Sequence, residues 1–205
     1  MIDRVIARQI LHYCFALLGA TSLYLPGLAL IVFLAAGQIA SKDTWEIHGW
    51  TLGWMTVESL LLAVPLLVLS HIMSSYSHLA GLAGGGVANG WSARLLLSLG
   101  AGIYEELLFR FILITFLVML LRDSLKLPEA PVMFSAVLLT AVAFSLYHYL
   151  GGETFVWSKF AFRMVAGGYL AGVFILRGFG ITVGCHALYD LMAMTLNAEH
   201  VFFAT

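Results

Sequence analysis

Charge is what this chain has least of. Only 10% of its 205 residues are charged, against about 25% in an ordinary soluble domain. With 61% hydrophobic residues and a mean hydropathy of +0.97, that shortage excludes a soluble globular domain and implies a polytopic membrane protein. The formal net charge is −1 and no basic cluster occurs, so nothing offers a surface to nucleic acid. Cysteine is scarce too. Cys14 and Cys185 both fall in apolar segments and read as small buried hydrophobes rather than a disulfide. No removable signal peptide is evident: the run after Arg4 and Arg8 is too long for one, and no A-x-A cleavage site follows it.

What the chain does have is long apolar runs. They are continuous instead of alternating, which favours helices over a membrane barrel. The reading is an all-α, polytopic transmembrane bundle of about six spans, near residues 10–39, 52–73, 94–121, 132–150, 160–176 and 181–196. Its site is expected between the last four. The Gly/Ser-rich stretch around Gly84-Gly85-Gly86 is the one boundary, separating N-terminal segments and connector (1–90) from a core (91–200). Glu58, two turns from a polar loop, reads as interfacial. Gly168-x-x-x-Gly172 and Gly180-x-x-x-Gly184 each put small residues on one helix face, a spacing that permits close helix approach and also arises by chance in a glycine-rich chain.

The third run carries Tyr104-Glu105-Glu106-Leu107-Leu108-Phe109-Arg110. Charges inside a bilayer cost a few kcal/mol each on insertion scales, so such a cluster needs partners and marks a functional site by default. Residues four apart share a helix face. Glu106 therefore pairs with Arg110, while Glu105, about 100° away, is free to face another helix. His148 lies on the face of Phe144. His186 and Asp190 again stand four apart. Glu105, Glu106, Arg110, His148, His186 and Asp190 thus form the candidate set. Each also has a bland reading, as a capped interfacial histidine or a structural ion pair, but together they are most of the ionisable groups in the apolar runs.

A glutamate and a histidine around one water make a general base able to activate it on a carbonyl, and a second histidine opposite could stabilise the oxyanion. The same groups, Glu105, His148 and His186, could instead hold a divalent metal such as zinc. No His-Glu-x-x-His helix is present, which excludes a zincin-type site, and no Gly-x-Ser-x-Gly, which argues against a rhomboid-like serine mechanism.

Glu105-Glu106-x-x-x-Arg110, Phe144-x-x-x-His148 and His186-x-x-x-Asp190, in this order on successive spans, resemble the CAAX protease and bacteriocin-processing (CPBP, or Abi) family, related to type II CAAX prenyl endopeptidase. The resemblance covers roughly residues 90–200. It implies an intramembrane endopeptidase of the glutamate type, formerly described as a metalloprotease, with no cofactor expected and zinc left open. Glu105 would be the base, helped by His148. Glu106 and Arg110 would hold the helix and orient Glu105, and His186 with Asp190 would complete the site across the scissile carbonyl. Members carry asparagine or aspartate at the last position. An ionised aspartate only accepts hydrogen bonds, so Asp190 is either protonated by burial or orients His186 so that the imidazole donates, the second being the expectation. The implied partners are a peptide or protein substrate at the membrane and the lipid bilayer, in a cytoplasmic membrane if the source is bacterial or archaeal. Oligomeric state and substrate stay open. The alternatives are a non-catalytic membrane protein of immunity or scaffolding type and a zinc-dependent version of the protease.

Overall fold

The computed structural model describes residue 13, residues 25–42, residue 46, residues 48–77 and residues 90–203. Arg4, Arg8, Cys14, the first part of the expected first span and the Gly84-Gly85-Gly86 boundary lie outside the described residues. Among the described residues the structure is helical throughout, with no strand. Helix α1 is Leu25–Ser41 and α2 is Gly49–Ser77. Helix α3 starts at Trp91–Glu106, widens to π winding over Leu107–Ile114, returns to α at Thr115–Val118 and ends in π winding over Met119–Ser124. Helix α4, Glu129–Tyr147, tightens into a 3-10 turn at His148–Gly151. Helices α5, Trp157–Arg177, and α6, Phe179–Phe203, complete the chain.

Four helices are long and apolar enough to cross a membrane, over Gly49–Met73, Glu129–Gly151, Trp157–Arg177 and Phe179–Leu196. They match four of the expected spans. The expected first span appears in its described part as the shorter α1, and the third as the mixed winding of α3. This is an all-helical membrane bundle. Its outer faces are apolar, as with Leu61 and Val68 on α2 and Phe134 and Leu138 on α4, all exposed.

Helix α6 is the hub, packing on α2, α3 and α5, while α4 packs on α5. One core cluster joins Ala63 and Leu66 of α2 to Phe162, Ala166 and Leu170 of α5 and Cys185 of α6. Lipid tails are as apolar as leucine, so helices in a membrane associate through close packing and polar contacts rather than hydrophobic burial. Both devices operate here. A side chain on Gly184 would run into Ser59 of α2, and one on Gly180 would meet Met55 at 3.3 Å. That pair therefore does mark a close helix contact. Gly172 faces open space and Gly168 only grazes Ala141, whereas their neighbour Gly167 is the one pressed against α4.

Polar contacts tie α2 to the rest. The Tyr169 hydroxyl donates to Leu62 O at 2.8 Å. Arg177 binds both carboxylate oxygens of Glu58, its Nη2 lying 2.8 Å from Oε2. Between α4 and α5, the Ser145 hydroxyl donates to Phe160 O at 2.8 Å. The connector turns at Gly152, whose left-handed φ of 85° suits a residue without a Cβ. There Glu153 takes Lys159 and Arg163 together, each at 2.7 Å.

Candidate active site

The structure brings all six candidate residues into one connected constellation on α3, α4 and α6. Glu106 is wholly buried and pairs with Arg110 one turn on, Oε2 to Nε at 3.0 Å, as the four-residue spacing predicts. Arg110 does more than neutralise it. Its Nη2 donates to Gly167 O on α5 at 3.1 Å, and its guanidinium sits 4.5 Å from the centroid of the Phe144 ring on α4. One cation thus touches three helices, in surroundings where such contacts gain strength from the low dielectric.

The other oxygen of Glu106 reaches α6, with Oε1 lying 2.7 Å from His186 Nδ1. A carboxylate can only accept, so Nδ1–H donates and the ring is held from that side. Asp190 is therefore not the sole carboxylate on His186. The orienting hydrogen bond comes from Glu106, and Asp190 Oδ2 stands 3.6 Å from Nε2, just beyond hydrogen-bonding reach. Helical spacing puts Asp190 beside the ring, but it cannot show that a second helix supplies the closer carboxylate.

Glu105, about 100° round the helix from Glu106, meets the same imidazole from its other side and a second one as well. Its Oε2 lies 3.8 Å from His186 Nε2 and 4.0 Å from His148 Nε2. His148 is fixed by Nδ1, which donates to Phe144 O at 2.8 Å, leaving Nε2 as the acceptor. Two separations just too long for direct hydrogen bonds are suited to a bridging water.

One participant went unremarked as a candidate. The hydroxyl of Tyr147 donates to Glu105 Oε1. Tyr147 and His148 are neighbours in sequence, and both meet one carboxylate where α4 gives way to the 3-10 turn. Its adjacency to His148 was the available signal, yet a regular helix would turn the two side chains well apart.

Among the described residues, no group of three His, Cys, Asp or Glu side chains is placed to hold a metal ion, the trio Glu105, His148 and His186 included. A separate groove of about 310 Å³ opens between α2, α3 and α6, lined by apolar groups with Ser59 and Ser98; none of the six candidates lines it.

Fold and site together define an integral membrane protein whose helices enclose a glutamate and histidine cluster. The family model for type II CAAX prenyl endopeptidase Rce1-like proteins matches residues 87–192, just over half of the chain, and spans every candidate residue. The chain belongs to that family, and with it to the CAAX-type membrane proteases. Comparison with curated proteins and with solved structures gives no match.

Proposed function

We propose that this chain is a multi-pass intramembrane endopeptidase of the glutamate type, hydrolysing a peptide bond of a membrane-associated peptide or protein. The observation that carries the reading is the placing of Glu105 Oε2 at 4.0 Å from His148 Nε2 and 3.8 Å from His186 Nε2. A water between Glu105 and His148 meets two acceptors, since the second proton position of His148 is committed to Phe144 O. Glu105 takes one proton from that water as its oxygen attacks the scissile carbonyl. The developing oxyanion faces His186, which donates from Nε2 when that nitrogen is protonated. Asp190 Oδ2 lies 3.6 Å from that nitrogen, while Glu106 holds the other side of the ring. The proton on Glu105 then passes to the leaving amine as the C–N bond breaks, which returns the carboxylate.

This mechanism uses no metal. The family description names a CAAX prenyl endopeptidase, so a prenylated C-terminal peptide is the first substrate to try, ahead of leader peptides and sorting tails.

Purified protein in detergent, supplied with such peptides, should release a cleaved product. Glu105→Gln should lose that activity by at least about 100-fold, the usual worth of a general base, while melting as the wild type does. Equal turnover by wild type and Glu105→Gln would sink the mechanism. A strong chelator should leave turnover unchanged. Inhibition reversed by zinc would instead put a metal among Glu105, His148 and His186.

A further inference from the structure

We infer that Tyr147 is the positioning residue for Glu105: its hydroxyl holds Oε1 so that Oε2 is the oxygen presented between His148 and His186. The inference rests on the hydrolytic reading above, and it assigns a role to a residue at an unspecified position within Phe144-x-x-x-His148.

A glutamate side chain has freely turning bonds, and its two oxygens are chemically equivalent until something distinguishes them. Here the two are treated differently. Oε1 accepts the Tyr147 hydroxyl, and Oε2 faces both imidazoles. The phenol cannot easily swing away. It is 5% exposed, with the ring of Phe109 at 5.0 Å, that of His148 at 4.6 Å and that of Phe144 at 6.2 Å. Without this donor, none of the contacts above distinguishes the two oxygens of Glu105 before the imidazoles. A loose carboxylate would turn about its own bonds and present a fixed oxygen to the histidines only part of the time.

Two consecutive residues serve one carboxyl group at the point where the winding changes. Tyr147 is the last α-helical residue of α4, and His148 opens the 3-10 turn. One supplies a donor to the oxygen that does not react. The other, with Nδ1–H given to Phe144 O, supplies an acceptor beside the oxygen that does. An aromatic pair at these two positions thus sets both the direction of Glu105 and the direction of the water it activates.

The test is Tyr147→Phe, which keeps the ring and its packing and removes only the donor. Two readouts are taken together: steady-state cleavage of the peptide substrate, and the Glu105 carboxylate band isolated as the infrared difference between wild type and Glu105→Gln. Loss of one hydrogen bond to a charged group should lower kcat by about 10- to 100-fold with KM unchanged, and should shift the band. Turnover within two-fold of wild type overturns the inference, as does a fall in turnover with the band in place, because that fall would be structural. If wild type cleaves no peptide offered, the hydrolytic reading fails by itself, and the infrared band alone still shows whether Tyr147 holds Glu105. Should Tyr147→Phe fail to accumulate, difluorotyrosine at 147 keeps the shape and strengthens the donor. The band must then shift, and an unmoved band overturns the inference equally.

Discussion

His186 Nδ1 and Glu106 Oε1 lie 2.7 Å apart across 80 residues of chain, and this hydrogen bond ties α6 to α3 inside the bundle. Because the other oxygen of Glu106 holds Arg110, one buried carboxylate joins the cation to the imidazole. The histidine nearest the reacting side of Glu105 is therefore held by a residue that does not itself face the proposed water.

Removing that carboxylate should be costly. Glu106→Ala leaves Arg110, 1% exposed, as an uncompensated buried charge, and breaking one side of a buried pair costs about 3–5 kcal/mol. Replacing both partners, as Glu106→Ala with Arg110→Leu, removes the stranded charge and should be less destabilising than the sum of the single changes. Unfolding in detergent for the two single variants and the double variant measures this. Purely additive losses would mean that the pair carries no coupling.

Gly167 of α5 is pressed closely against α4. A methyl group there would stand 3.1 Å from Phe144 Cδ1 and 3.2 Å from Ala141 Cα, and the second of these is backbone that cannot step aside. Gly167→Ala should therefore part the helices and lower stability by about 1–3 kcal/mol. It should also reduce cleavage, since Gly167 O accepts from Arg110. Gly172→Ala, with nothing within 4 Å, is the control and should melt like wild type. Equal effects of the two alanines would show that close packing at Gly167 is not what matters.

Asp190 can act on His186 only as an acceptor or as a negative charge while it is ionised. Its Oδ2 stands 3.6 Å from Nε2. An asparagine would lose that charge but bring an amide donor to the same place. Asp190→Asn should thus keep turnover within about tenfold, whereas Asp190→Ala, offering neither, should lose about 100-fold or more, the measured worth of an oxyanion donor. Comparing kcat for the two variants decides it. If alanine kept turnover as well as wild type, a role for Asp190 in holding the oxyanion partner would be lost.

Much of this arrangement could be read along single helices. Glu106 and Arg110 pair because they are four apart on one helix, and His148 leans on Phe144 for the same reason. Four of the six expected spans follow from runs of apolar residues alone. What escaped the sequence depends on other helices or on irregular winding. Glu58 meets Arg177 across 119 residues, and no local pattern marks that partner. The His186 orienter was assigned to Asp190 because i+4 spacing is visible, while the closer Glu106 lies on a different helix. Tyr147 reaches Glu105 where α4 becomes 3-10, and α3 widens to π winding directly after Glu106. Both departures from regular helix fall at the site, as such irregularities often do, and a 3.6-residue period cannot foresee them.

The connector beside His148 offers a test in pH. Burial pushes the Glu153 carboxyl up, but the Lys159 ammonium and the Arg163 guanidinium outweigh it and hold it below its ordinary value of 4.5. A carboxyl depressed on folding adds stability that is complete above the unfolded value and disappears as the pH falls through the folded one. The loss must therefore lie below about pH 4.5. The contribution is modest, about 0.5–1 kcal/mol, because Glu153 keeps contact with solvent and salt screens its partners. At neutral pH Glu153→Gln should melt slightly below wild type, and this gap should close in acid as the wild-type carboxyl takes up its proton. Raising salt at neutral pH should narrow it as well. The melting temperatures of both proteins, followed from pH 7 downward in one detergent, carry the answer. A gap that persisted unchanged into strong acid would assign the effect to packing of the connector instead of to its charge.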